Sequence, residues 1–203
     1  MKYKTEQEKF WATKFGNGYI KRNNKGNRIW TIGKDLINNN VSIQSALELG
    51  CNIGLNLDAL KLIYGRIDLY GVEINKRAYG ICRKKHKCFN SSIIGFKKNK
   101  KYDFVFTSNV LIHQNPEDLK SIYFKMHKLS KKYIYICEYF NPTPMMVSYR
   151  GNKDKLFKRD FAKELLNLFP KLELVNYGFH WREDPLLKKS YDSSNWTLFK
   201  KKL

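Results

Sequence analysis

Residues 46–60, ALELGCNIGLNLDAL, pass from a short apolar run into a glycine-bearing turn and then into a helical pattern, with an acid, Glu48, just before the break. Ser45–Leu49 reads as a buried strand. Asn56–Tyr64 reads as a helix, because Leu57, Leu60 and Ile63 recur at helical spacing. Gly50 and Gly54 therefore fall at the carboxyl end of a strand, where a missing Cβ lets the backbone turn tightly and approach a ligand.

Working outward, the same alternation continues. Strands are expected at Asp68–Glu73, near Cys88–Ile94, at Tyr102–Thr107 and Tyr133–Cys137, and at Leu172–Phe179 and Trp196–Lys200. Helices are expected at about Asn75–Arg83, after the Asn115-Pro116-Glu117-Asp118 start signal, and at Phe161–Phe169 before Pro170. Strand–helix alternation implies right-handed crossovers and an α/β fold: a mainly parallel, seven-stranded sheet with helices on both faces. Ligands of such sheets bind beyond the carboxyl ends of the strands.

The turn itself selects among ligands. A dinucleotide fingerprint would require a glycine where Asn52 stands, and no Gly-Lys-Ser/Thr follows as in a phosphate-binding P-loop. Glu73 closes the second strand 23 residues after Gly50, the place where an acid accepts hydrogen bonds from ribose hydroxyls in nucleotide-binding α/β folds.

At 203 residues, a single domain is expected. No run approaches the roughly 20 apolar residues of a membrane span, and the N-terminus shows no apolar signal region, so a cytoplasmic protein with no membrane insertion is expected. Cys51, Cys82, Cys88 and Cys137 form no C-x-x-C pair and read as reduced thiols. His86 and Cys88 lack a second ligand pair at zinc spacing, so no metal is expected. The 39 basic against 18 acidic residues, net +21, would attract phosphate backbones and make nucleic acid the alternative partner.

The pattern Glu48-x-Gly50-x-x-x-Gly54 resembles motif I of class I S-adenosylmethionine (SAM) methyltransferases. That resemblance implies a Rossmann-like methyltransferase fold with SAM as cofactor and S-adenosylhomocysteine as product. It places Gly50, Cys51, Asn52, Gly54 and Asn56 along the methionine part, Glu48 near the amino group, and Glu73 with Ile74 at the ribose. Ser91 and Ser92 would meet the adenine edge, in a segment without the acid that methyltransferases usually carry there. Asn109, Val110 and His113 follow the fourth strand and would face the sulfonium and the acceptor.

A longer set of segments narrows the likeness: TEQEKFWATKFGNGYIKRN (5–23), ELGCNIGLNL (48–57), GVEIN (71–75), NVLIHQNPEDL (109–119), EYFNPTPMMVSYRG (138–151), KLFKRDFAKELL (155–166) and YGFHWRED (177–184). Together they resemble the pseudaminic acid biosynthesis-associated methylases. The resemblance implies methyl transfer to a hydroxyl or nitrogen of a small sugar-like acceptor, a nonulosonic acid or other surface-polysaccharide sugar, or its nucleotide-activated form. Residues 1–40 would then be a helical lid and 41–203 the Rossmann-like core.

Acceptor-side candidates cluster after the fifth strand: Glu138, Tyr139, Asn141, Tyr149 and Arg150. Glu138 sits at a strand end like Glu48 and Glu73 and is the expected base or sugar-hydroxyl acceptor. The Arg150 fork suits a carboxylate or phosphate. Phe10, Trp11, Phe15 and Tyr19 fit one helix face, and Tyr19, Arg22 and Asn23 could close over the cofactor carboxylate. The DNA amino-methyltransferase signature after the fourth strand is absent from TSNVLIH (107–113), which weighs against the nucleic-acid alternative.

Overall fold

The computed structural model describes residues 3–24, 28–187 and 193–202. Two short N-terminal helices, α1 (Glu6–Ala12) and α2 (Lys14–Arg22), precede α3 (Ile32–Asn38). The sheet then begins with β1 (Ser45–Leu49), α4 (Leu55–Tyr64), β2 (Asp68–Glu73), α5 (Lys76–Cys82) and β3 (Lys87–Asn90). It continues through β4 (Tyr102–Ser108), α6 (Leu119–Leu129) and β5 (Ser130–Glu138). A hairpin of β6 (Met145–Tyr149) and β7 (Asn152–Lys158) is inserted before α7 (Phe161–Leu168), and β8 (Leu172–His180) and β9 (Ser194–Lys201) close the sheet.

The seven-stranded order is β3-β2-β1-β4-β5-β9-β8, parallel throughout except for β9, which pairs antiparallel with both neighbours. Strand order reverses between β1 and β4, so their carboxyl ends diverge into a crevice, the switch point at which α/β sheets take ligands. The expected α/β class and mainly parallel seven-stranded sheet are as read from sequence.

Period-two alternation fills both faces of this sheet. Leu47, Leu49, Val72, Val105, Ile134 and Ile136 face a core with Ile122, Met126 and Leu165. Ala46, Phe104, Phe106, Tyr135 and Leu198 face the other, with Leu36, Leu57 and Leu60. The central strands are buried on both sides, which explains why they read as continuous apolar runs rather than alternating ones. Ile32 and Leu36 of α3 belong to this second core, so the helix before residue 40 is packed structure rather than cover.

Three local readings need correction. β3 ends at Asn90, and 91–95 form a turn held by Ser92 Oγ, which accepts from Gly95 N at 2.9 Å. The aromatic stripe 10–19 is not one helix: Thr13 (φ −116°, ψ −140°) breaks it, so α1 and α2 double back and Phe10 stacks on Phe15 at 4.0 Å. Residues 145–158, for which no strand was expected, form the β6–β7 hairpin around Arg150 (φ 51°) and Gly151 (φ 78°). Two successive positive-φ residues are what a tight two-residue hairpin turn requires.

Candidate active site

The loop after β1 is built from left-handed backbone: Gly50 (φ 80°), Asn52 (φ 47°) and Gly54 (φ 87°). Gly50 N and Cys51 N both donate to Val72 O, at 2.8 and 3.0 Å, which fastens the loop across the end of β2. A Cβ on Gly50 would lie 2.7 Å from both methyls of Val110, so only glycine lets this loop close on the segment after β4.

Two buried acids stand over that loop. Glu48 Oε1 accepts from Asn56 Nδ2 at 2.6 Å, while its Oε2 is buried without a partner among the described residues. Burial raises its pKa to about 8, against the pull of the Asn56 bond and the Arg28 charge. Glu73 accepts from Asn52 N at 2.8 Å and Asn75 N at 2.6 Å, so one carboxylate holds the loop after β1 and the start of α5 together. Burial raises it to about 7, offset in part by those backbone bonds.

Opposite them stands an aromatic wall drawn from three distant segments. His113 lies 4.4 Å, ring to ring, from Trp11 and 4.9 Å from Tyr149, and Trp11 packs edge-on to Tyr19 at 5.2 Å. His113 Nδ1 is 2.6 Å from the Lys155 carbonyl; a carbonyl only accepts, so Nδ1 carries the hydrogen and Nε2 keeps its lone pair. Burial lowers the His113 pKa to about 4, with the Lys155 bond pulling the other way. The imidazole is therefore neutral at ordinary pH.

Between loop and wall lies a cavity of about 330 Å³. The sequence-predicted residues Tyr19, Glu48, Gly50, Cys51, Asn52, Asn56, Glu73, Ile74, Ser91, Ser92, Asn109, Val110, His113, Tyr149 and Arg150 all line it, as do Asn23 and Tyr139. Asn109 (φ 55°) has its Oδ1 buried without a partner.

Four expected site residues lie outside its lining, among them Asn141, whose N donates to Arg159 O at 3.4 Å and whose Nδ2 donates to Thr143 O at 2.5 Å. Arg22 stands over the Phe15 ring at 5.4 Å. Gly54 begins α4 and faces Cys82 and His86. Glu138, expected as base or hydroxyl acceptor, is 2% exposed and accepts from Val110 N (3.1 and 2.9 Å) and Ile112 N (3.3 Å). Its work is to fold the segment after β4 into the turn that presents His113.

Sequence reasoning missed several lining residues: Arg28, Gln114, Arg182, and Trp11, which was placed on a helix face and given no role in the site. It also missed the tie that seats α1 and α2. Asn75 Nδ2 donates to Trp11 O (3.1 Å) and Asn17 Oδ1 (3.0 Å), while its Oδ1 caps α5 through Arg77 N and Ala78 N. Gly16 permits this approach, because a Cβ there would collide with Trp11 O. The only sequence signal was Asn75 as a helix cap.

No protein-family model and no curated protein matches the sequence. Solved structures do share the fold. The SAM-bound magnesium protoporphyrin IX methyltransferase of Synechocystis PCC 6803 superposes with a TM-score of 0.69 at 11% identity, over 100% of both chains. The 1,6-didemethyltoxoflavin-N1-methyltransferase of Burkholderia thailandensis gives 0.68 at 11% identity, over 100% of this chain and 94% of that one. The N-methyltransferase NodS of Bradyrhizobium japonicum WM9 gives 0.62 at 13% identity, over 84% and 94%. The chain has the Rossmann-like fold of these methyltransferase structures.

Proposed function

We propose that the protein is a SAM-dependent methyltransferase acting on a small, sugar-like, anionic acceptor. The observation that carries the cofactor half is Glu48 Oε2: a carboxylate oxygen, buried, without a partner among the described residues, in a residue lining the cavity beside the glycine loop. An unsatisfied buried acceptor costs about 1–3 kcal/mol, which a cationic ligand would recover. The neighbours that share this fold include proteins crystallised with SAM or S-adenosylhomocysteine.

In this reading Glu48 holds the ammonium of the amino-acid tail, and the Gly50–Asn52 backbone supports that tail. Glu73 receives the ribose hydroxyls on lone pairs left over from its two backbone bonds, and Ser91 and Ser92 border the base. SAM, when bound, supplies a sulfonium methyl group open to in-line attack. The chain's contribution is alignment, worth about 7–11 kcal/mol in well-oriented reactions.

The acceptor lies under Trp11, His113 and Tyr149. His113 Nε2, held neutral, takes a hydrogen bond from the attacking hydroxyl or amine. With a pKa near 4 it orients that group better than it stores a proton. Arg150 and Arg182 line the same cavity and suit a carboxylate or phosphate. Those cations, with the quoted likeness to pseudaminic acid-associated methylases, support a nonulosonic acid or its nucleotide-activated form as the acceptor class.

The test is calorimetry with SAM, followed by transfer of labelled methyl to a panel of acidic sugars, nucleotide sugars, tRNA and duplex DNA. Micromolar SAM binding and label in an acidic sugar are expected. Absence of SAM binding overturns the whole reading; label in nucleic acid alone overturns the acceptor half.

A further inference from the structure

We propose that Cys51, Cys82 and Cys88 form a three-sulfur site for a soft, thiophilic d10 cation, beneath the loop that borders the cavity. Cys51 Sγ lies 3.7 Å from Cys82 Sγ and 3.6 Å from Cys88 Sγ, and all three sulfurs fall within 4.8 Å of one another. Thiolates bind zinc at about 2.3 Å, which spaces two sulfurs of a tetrahedral set at about 3.8 Å. The thiols therefore stand at the separations of ligands that share one ion.

Three elements deliver them: the loop after β1, the last residue of α5, and β3, where Cys88 pairs with Gly71 of β2. Gly71 is part of the construction, because a Cβ there would strike Cys51 Sγ and close the path across β2 to Cys88. Gly54 likewise clears space: its Cβ would sit 3.0 Å from Cys82 Sγ. Cys51 and Cys82 are buried, and Cys88 is partly exposed, which gives an ion a way in.

The donor set selects the ion. Among the described residues no carboxylate joins the three sulfurs; Asp58 is taken by His86 Nε2 at 2.7 Å and by Lys85, and Glu73 by the amides of Asn52 and Asn75. Hard cations such as Mg2+ or Ca2+ want oxygen ligands, whereas Cu+, Zn2+ and Cd2+ accept thiolates. Each thiol that binds releases its proton to solvent. The occupied site would tie the loop after β1 to α5 and β3.

The experiment titrates the reduced full-length protein with Cd2+ and follows the ultraviolet thiolate-to-metal charge-transfer band. The band is expected to saturate at one Cd2+ per chain, to fall at least threefold in Cys82→Ser and Cys88→Ser, and to persist in Cys137→Ser. X-ray absorption of the wild-type Cd2+ form reads the same site without a variant and should give three sulfur neighbours. A missing band, a band untouched by either substitution, or a shell of oxygen and nitrogen overturns the proposal. These readouts do not involve SAM, so they stand or fall apart from the methyltransferase reading.

Discussion

The wall assigned to the cofactor comes from residues 48–56 and 72–75 at two adjacent strand ends, whereas the wall assigned to the acceptor comes from Trp11, His113, Tyr149 and Arg150, scattered over 140 residues. On the first wall the positions are set by backbone: Gly50 N and Cys51 N on Val72 O, and Asn52 N and Asn75 N on Glu73. On the second they are set by ring packing and by single ties such as His113 Nδ1 to Lys155 O. Backbone-held geometry tolerates little change, because a strained φ or a lost amide acceptor cannot be repacked around. Ring-held geometry can be retuned without moving the backbone-held wall.

The sharpest way to break this contrast is Gly50→Ala. It puts a Cβ at positive φ against Val110 and should lower SAM affinity at least ~100-fold, about 3 kcal/mol. Calorimetry giving a Kd within threefold of wild type would mean that the loop adapts and that the first wall is no more rigid than the second.

Next in size, Glu48→Gln keeps the Asn56 contact but removes the charge, and an affinity loss of roughly 30-fold, about 2 kcal/mol, is expected. With its folded pKa near 8, Glu48 becomes a full carboxylate only above that pH, so wild-type affinity for a cationic tail should rise from pH 6 to 8. The Gln variant should show no such rise; parallel pH curves would remove Glu48 from the ammonium role.

On the second wall, Arg150→Gly preserves the positive-φ turn while deleting the cation. Acceptor KM should rise about tenfold, with kcat and SAM affinity within about threefold. A matching drop in SAM affinity would show that the two walls are not separable.

The last expected effect concerns stability rather than binding. His113 takes a proton near pH 4 when folded and near 6.5 when unfolded, so between those values the unfolded chain holds more protons and stability rises with pH. Denaturant unfolding should show a gain on the order of 3 kcal/mol across that window, and His113→Gln should lose that slope. An unchanged slope would place His113 in contact with water rather than under Trp11.

The first wall was legible because its rules are local. A glycine turn after a buried strand and an acid at the end of the next strand are visible within 30 residues, and Glu48, Gly50 and Glu73 line the cavity. The same strand-end rule misplaced Glu138, since it says nothing of how the segment after β4 folds over the end of β5 and turns its amides onto that carboxylate. The β6–β7 hairpin escaped because its turn, Arg150-Gly151, lacks the usual Asn-Gly pair and follows two prolines that read as a break. The cysteine cluster escaped because its spacings, 31 and 6 residues, match no ligand motif; only β2–β3 register and the gap at Gly71 bring the sulfurs together.

By itself, then, the order of apolar runs, helical periods and glycines determined an α/β sheet and the end of it that would take a ligand, because hydrogen-bonding period and side-chain-free turns are properties of short segments. Which buried oxygens were left without partners, which rings face His113, and which thiols meet were decided only by tertiary packing. Most of those depend on contacts between distant residues, from Cys51–Cys82, 31 positions apart, to Trp11–Tyr149 at the two ends of the wall, and chain spacing carries no record of them.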